Sequence, residues 1–254
     1  MYPDKKYMDG NDANDLNFTP LSSEILNQLY NPDKNINFYT PVIMKEPFSS
    51  KSSAARDNKV QSYIRFFHTA HAKDSVDIYI NSQLIKKDLS YSAMTSYISI
   101  PCGTYTIRIY KSGTNQNPLL IYNTKIEKNT YYTFAIIEGS RRLSVLMLTN
   151  GNIAPGSDKN IYVRFINLIP FSPLLNVSID SEQQLLNEIE YGETTNYINL
   201  TPGTYSFEAS PKDISLKKML VPNVSLSPRT YYSIFAIGRA DLPGSHELLI
   251  YKDR

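Results

Sequence analysis

The 254-residue sequence holds a single cysteine, Cys102, and no tryptophan. One thiol excludes an intramolecular disulfide and any zinc or iron–sulfur site built from several cysteines. Excess charge is also lacking: 26 Lys and Arg stand against 24 Asp and Glu, a net charge of +2. That is far below the basic surplus that a phosphate backbone demands, so nucleic acid is not an expected partner. No stretch approaches the roughly eighteen continuous apolar residues of a membrane span, and the opening fifteen residues carry no apolar run of signal-peptide length. Cytoplasmic synthesis without a signal peptide is the expectation. Missing too are the Gly-x-Ser-x-Gly elbow, the phosphate-binding Gly-x-x-x-x-Gly-Lys-Ser/Thr loop, Gly-x-Gly-x-x-Gly and His-Glu-x-x-His, so hydrolase, nucleotide and zincin chemistry lose their usual markers.

What the chain does contain is an internal repeat. Tyr63-Ile64-Arg65-Phe66 recurs as Tyr162-Val163-Arg164-Phe165. The block from Tyr91 to Tyr105 recurs from Tyr191 to Tyr205, keeping Tyr97-Ile98 as Tyr197-Ile198 and Gly103-Thr104-Tyr105 as Gly203-Thr204-Tyr205. Thr130-Tyr131-Tyr132 recurs as Thr230-Tyr231-Tyr232. Three blocks in one order, 99 to 100 residues apart, define two copies over 60–149 and 160–254. A breaker-rich linker, 150–159, joins them, and 1–59 precedes them.

Within each copy, short β-branched and aromatic segments alternate with period two, the signature of half-buried strands. Val76, Ile78 and Ile80 share one face while Asp77, Tyr79 and Asn81 share the other. The second copy keeps that parity, with Leu175, Val177 and Ile179 against Asn176, Ser178 and Asp180. A slip of one residue would invert every side chain, so the agreement points to a common core face. Gly103 and Gly203 each precede an outgoing strand, where a turn calls for a residue free to take positive φ. About seven short strands per copy, with no helical stretch between them, predict an all-β chain of two tandem immunoglobulin-like antiparallel β-sandwiches.

These blocks resemble a bacterial β-sandwich family known only as domain of unknown function 4397. The resemblance rests on Tyr63-Ile-Arg-Phe-Phe-His68, the strand from Val76 to Asn81, the turn Pro101-Cys-Gly-Thr-Tyr105 and the opening Arg164-Phe-Ile-Asn-Leu-Ile-Pro170, and it covers residues 60 to 254. It implies a tandem sandwich and a place at the cell surface, and it implies no activity.

Residues 1–59 read as an extended arm. Thr19-Pro20 followed by Leu21, Ile25 and Leu29 predicts one short helix capped by Thr19. The apolar segment of Phe38, Tyr39, Val42, Ile43 and Met44 contains Pro41, which restricts it to an edge or an unpaired position. It suits either docking on its own sandwiches or adding a strand to the open edge of a neighbouring copy.

The candidates for chemistry are sparse. His68 and His71 lie three residues apart on a strand-to-loop segment, and the second copy has Asn167 and Pro170 in their places. Zinc needs three or four convergent ligands, so a structural role is expected, with no metal and no cofactor. Asp74, Asp77, Glu188, Glu190 and Glu193 form no acid, base and nucleophile set, and alternation alone accounts for them. Cys102 occupies a turn where the second copy has Pro202 and is read as passive. No catalytic residue is assigned. Twenty tyrosines are the strongest bias. Those matched between copies are expected in cores and corners, with the hydroxyl on a backbone partner. The unmatched Tyr79, Tyr110, Tyr122 and Tyr251 are candidate surface contacts.

Charge divides unevenly: ten Lys and Arg against five Asp and Glu over 60–150, nine against eleven over 151–254. Drift between solvated surfaces accounts for such asymmetry, and opposite signs also suit a contact between the first half of one copy and the second half of another, of the kind that propagates rather than closes. The expected function is therefore a non-enzymatic structural subunit of a bacterial surface or spore-coat-type assembly, self-associating through the arm and complementary sandwich surfaces. Its expected partners are further copies, as a homo-oligomer or filament, and other surface or coat proteins. The alternative is a glycan- or peptide-binding module using exposed tyrosines.

Overall fold

The computed structural model describes residues 61–71, 74–139, 142–151, 159–180, 183–212, 218–242 and 244–253. The helix expected after Thr19, the segment Phe38, Tyr39, Val42, Ile43 and Met44, and linker residues 152–158 lie outside the described residues. The first copy comprises β1 (Gln61–His68), β2 (Val76–Ile80), β3 (Gln83–Leu89), β4 (Ile98–Pro101), β5 (Gly103–Lys111), β6 (Leu120–Ile126), β7 (Tyr131–Glu138) and β8 (Leu143–Asn150). The second comprises β9 (Ile161–Asn167), β10 (Leu175–Ile179), β11 (Gln183–Ile189), β12 (Ile198–Leu200), β13 (Gly203–Pro211), β14 (Met219–Leu226), β15 (Tyr231–Ile237) and β16 (Glu247–Lys252). The described residues are all-β, as expected, with eight strands per copy.

Each copy pairs two four-stranded sheets. The inner sheets have the orders β4-β1-β7-β8 and β12-β9-β15-β16; the outer sheets have β3-β2-β5-β6 and β11-β10-β13-β14. The purely antiparallel arrangement expected from sequence is corrected here, because β1 runs parallel to β7 and β9 parallel to β15. Each opening strand sits in the middle of its inner sheet, and the chain returns beside it only after a long excursion through the outer sheet, the kind of connection that parallel pairing requires. The turn between β2 and β3 uses Asn81 and Ser82, both at positive φ, a conformation suited to a two-residue hairpin. Gly103 opens β5 at a φ of 155°, whereas Gly203 opens β13 without positive φ, so only the first of the two glycines has the backbone expected of both.

The common core face holds. Ile64, Phe66, Phe134 and Ile136 of one inner sheet meet Val76, Ile78, Ile80, Ile107 and Ile109 of its outer sheet. Val163, Phe165 and Ile234 meet Leu175, Val177, Ile179 and Phe207 in the second copy. A third core lies between the copies. Phe67, Ala135, Ile137 and Leu148 from the back of the first inner sheet pack on Ile166, Phe235, Ile237 and Tyr251 from the back of the second. Phe67 sets its ring edge-on to Phe235 at 5.0 Å and to Tyr251 at 5.4 Å. The body is thus four layers deep, in the order outer, inner, inner, outer, and both inner sheets are covered on both faces.

Charges are buried in this apolar middle. Arg65, 2% exposed, and Asp253, 0% exposed, meet across the copies at 2.7 Å. Arg65 Nε donates to Thr133 Oγ1 at 2.8 Å and its Nη1 to the Lys252 carbonyl at 2.8 Å. The second copy repeats the pattern in reverse: Arg164 Nε donates to Ser233 Oγ at 2.8 Å, Nη1 to the Thr149 carbonyl at 2.9 Å and Nη2 to Asn150 Oδ1 at 2.5 Å. Tyr97 and Tyr197 lie against the two guanidinium planes at 4.6 and 4.7 Å. The cluster has near two-fold symmetry with one defect, since Asn150 occupies the place that Asp253 fills on the other side. Asp253 also accepts from Ser233 Oγ at 2.5 Å and from the Tyr197 hydroxyl at 2.7 Å. Burial pushes the Tyr97 hydroxyl up to about 12 and raises that of Tyr197, so both stay protonated as donors. Asn150, read from sequence as the first linker residue, is instead the last residue of β8 and belongs to this cluster.

Removing one partner of a buried ion pair strands the other charges in a dry interior. Asp253→Ala is expected to cost about 3–5 kcal/mol in a urea titration of the full chain. A loss below about 1 kcal/mol, the range of exposed pairs, would show that the cluster is wet and peripheral.

Candidate interaction surfaces

Alternation along the outer sheet of the first copy decides which aromatics reach its surface. Leu84, Tyr79, Arg108 and Ile121 stand abreast across β3, β2, β5 and β6. Tyr110 follows Arg108 by two residues on β5, and its ring meets that of Tyr79 edge-to-face at 5.2 Å. Ile121 is 54% and Leu84 43% exposed. The structure therefore brings Tyr79 and Tyr110 together on an outward face, beside two of the exposed large hydrophobics and an arginine.

The other two surface candidates are corrected. Tyr122 follows the outward Ile121, so period two turns it inward, where its ring meets Phe134 at 6.3 Å and burial raises its hydroxyl pKa. Tyr251 is 5% exposed, because β16 belongs to an inner sheet whose back is covered by the other copy. Several of the matched tyrosines place the hydroxyl on a backbone partner as expected, whereas the Tyr91 hydroxyl is buried with none and Tyr197 donates to the Asp253 carboxylate. Tyr105 donates to the Pro101 carbonyl at 2.8 Å, Tyr205 to that of Thr201 at 2.6 Å, and Tyr191 to that of Glu138 across the interface.

The equivalent face of the second copy is different. Gln184, Ser178, Glu208 and Leu220 stand abreast across β11, β10, β13 and β14. Glu208 pairs with Lys218 at 2.9 Å, and Ser210 stands two residues beyond it on β13.

Four of the carboxylates singled out from sequence, Asp74, Asp77, Glu188 and Glu193, serve local structure. Asp77 accepts from the amides of Asp88 at 2.8 Å and Gly113 at 3.0 Å. Glu193 accepts from the Glu190 amide at 2.9 Å, Glu188 pairs with Lys212 at 2.5 Å, and Asp74 with Lys111 at 3.2 Å. Cys102 is exposed. His68 is fully buried, its Nε2 lies 3.2 Å from the Asp74 carbonyl, and its Nδ1 has no partner. The Tyr91 ring lies 4.6 Å from that of His71. In the second copy Asn167 fills the place of His68, donating to Ser172 Oγ at 2.8 Å and accepting from the Ile169 amide at 3.1 Å. Among the described residues no three His, Cys, Asp or Glu side chains are placed to hold a metal ion, and no helix is long and apolar enough to cross a membrane.

Sequence reasoning missed Arg65, Arg164, Asn150 and Asp253 as a group. A signal was present, since each arginine alternates with apolar neighbours on a strand that otherwise reads as buried on both faces. The segment from Val145 to Asn150 likewise parallels that from Leu248 to Asp253, at a wider offset than the other blocks.

Two stretches, residues 62–177 and 161–254, match the family model of a domain of unknown function, DUF4397. No curated protein matches the chain. Among solved structures, the chain is similar to the Bacillus anthracis TIE protein at 10% identity and a TM-score of 0.21, covering 69% of this chain and 33% of that one. It thus spans about a third of that protein's length. It is similar to CBMbc, a family CBM26 module of Eubacterium rectale Amy13K solved with maltoheptaose, at 12% identity, a TM-score of 0.23 and coverage of 76% and 97%. It is also similar to a putative cell adhesion protein of Bacteroides fragilis at 10% identity, a TM-score of 0.20 and coverage of 91% and 98%. At these scores none of the three bears on which residues act here.

Burial lowers the pKa of both His68 and His246 below the ordinary 6.5. The unfolded chain then binds protons that the folded one refuses, so stability is full above pH 6.5 and falls as the pH drops below it. Each histidine contributes a slope of at most about 1.4 kcal/mol per pH unit. His68→Asn, which writes in the residue of the second copy, is expected to flatten the slope of urea midpoints between pH 7.5 and 5 while His246 maintains the remainder. Identical slopes in the two proteins would remove His68 from this account.

Proposed function

The chain belongs to the DUF4397 family, present as two tandem copies, and on that premise we propose that it is a non-enzymatic structural subunit of a bacterial surface layer, of the cell-surface or spore-coat type. The observation that carries this reading is the interface between the copies. The space between the inner sheets is filled by Phe67, Phe235 and Tyr251 and crossed by the Arg65–Asp253 pair, so the two copies pack as one body. Self-association is assigned to the segment from Phe38 to Met44, adding a strand to a neighbour's open edge, and to complementary sandwich faces.

A second reading, a glycan- or peptide-binding module, is favoured by the Tyr79–Tyr110 pair on the outer face, since an aromatic ring presents an apolar body with a polar tip.

Sedimentation velocity on the full chain over a wide concentration range is expected to give a weight-average mass that climbs above the 28.9 kDa of one chain; a monomer throughout overturns the structural-subunit reading. For the second reading, retention of the full chain on a glycan or peptide array would be lost in Tyr79→Ser/Tyr110→Ser. Retention unchanged by that double variant excludes these tyrosines as the binding surface.

A further inference from the structure

The two ends of the four-layer body present faces that differ in size and charge at matched positions. Where the first outer sheet has Tyr79, Tyr110 and Arg108, the second has Ser178, Ser210 and Glu208. We propose that these faces bind each other between copies: the outer sheet of the first sandwich docks on the outer sheet of the second sandwich of the next molecule. This deepens the structural-subunit reading and rests on it.

The two faces lie at opposite ends of the stack, because the inner sheets occupy each other and each outer sheet lies beyond its own core. A contact between them is heterologous, so it repeats along a line instead of closing. The rings of Tyr79 and Tyr110 and the exposed Ile121 supply the aromatic and apolar area that interface centres favour. Ser178 and Ser210 leave room for the rings. Arg108 faces Glu208, which is 8% exposed and whose carboxylate is held at 2.9 Å by the exposed ammonium of Lys218; a guanidinium that displaces the ammonium offers two parallel bonds where the ammonium offers a point charge. The copies carry the same polarity at longer range, net +5 over 60–150 and net −2 over 151–254, which orients the encounter.

Charge reversal tests the pairing on the full chain by sedimentation velocity at low salt. Arg108→Glu sets two carboxylates at the facing positions and Glu208→Arg sets two guanidinium groups there, so each variant alone is expected to associate at least about tenfold more weakly than the parent protein. An equimolar mixture of the two, and the double variant Arg108→Glu/Glu208→Arg, are expected to recover association. Tyr79→Ser/Tyr110→Ser, which alters two half-buried rings outside the core, is expected to weaken it as well and guards against misfolding of the Glu208 variant. Association that survives in Arg108→Glu and in Tyr79→Ser/Tyr110→Ser overturns this docking while leaving assembly through the arm intact. Weakening without recovery in the mixture overturns the Arg108–Glu208 pairing. A parent chain that stays monomeric overturns both the docking and the function it rests on.

Discussion

Three ionised side chains, Arg65, Arg164 and Asp253, sit in a dry seam between two sheets, and the rest of the structure is arranged to make that possible. Each guanidinium spends its donors on a hydroxyl, a carbonyl and a side-chain oxygen, and stacks on a tyrosine. A wholly apolar seam between two sheet backs would tolerate sliding, whereas forked donors facing fixed acceptors admit one register. The seam also leaves two arginines against one carboxylate, because Asn150 stands opposite the position of Asp253. The amide keeps the acceptor for Arg164 Nη2 and adds a donor to Thr133 Oγ1 at 2.7 Å. The duplicated halves have thus diverged at the point where they touch.

That seam sorts the rest of the molecule into constrained and free surfaces. The inner sheets are covered on both sides, so β1, β7, β9 and β15 carry long apolar runs broken only by the residues of the polar cluster. Matched tyrosines follow the same constraint. Tyr97 and Tyr197 serve the arginines, while Tyr105 and Tyr205 close corners. The outward sides of the two outer sheets differ between the copies, with Tyr79, Tyr110 and Arg108 on one and Ser178, Ser210 and the Glu208–Lys218 pair on the other. It is the filled seam together with unlike outer faces that supports the proposed role.

Much of this was legible beforehand. Period-two alternation in Val76 to Asn81 and Leu175 to Asp180 assigns the core face without coordinates, because a pleated strand offers only two sides. The repeat likewise sets the number of sandwiches. Parallel pairing of β1 with β7 was not legible, since partner choice is a long-range matter that local patterning does not record.

Tyr79 and Tyr251 mark the boundary between what the chain determines alone and what the assembled fold decides. Composition and periodicity determined an all-β duplicated body without disulfides, and they placed Tyr79 on the side of its strand away from the core. They could not show that the far side of β16 is also interior, because the surface that covers Tyr251 comes from residues some two hundred positions away in the chain, Phe67 among them. For the same reason the repeated arginines read as sequence markers and not as partners of Asp253. A strand's two faces are written in its own residues, but whether a face meets water or another sheet depends on packing between elements that the chain brings together only when folded.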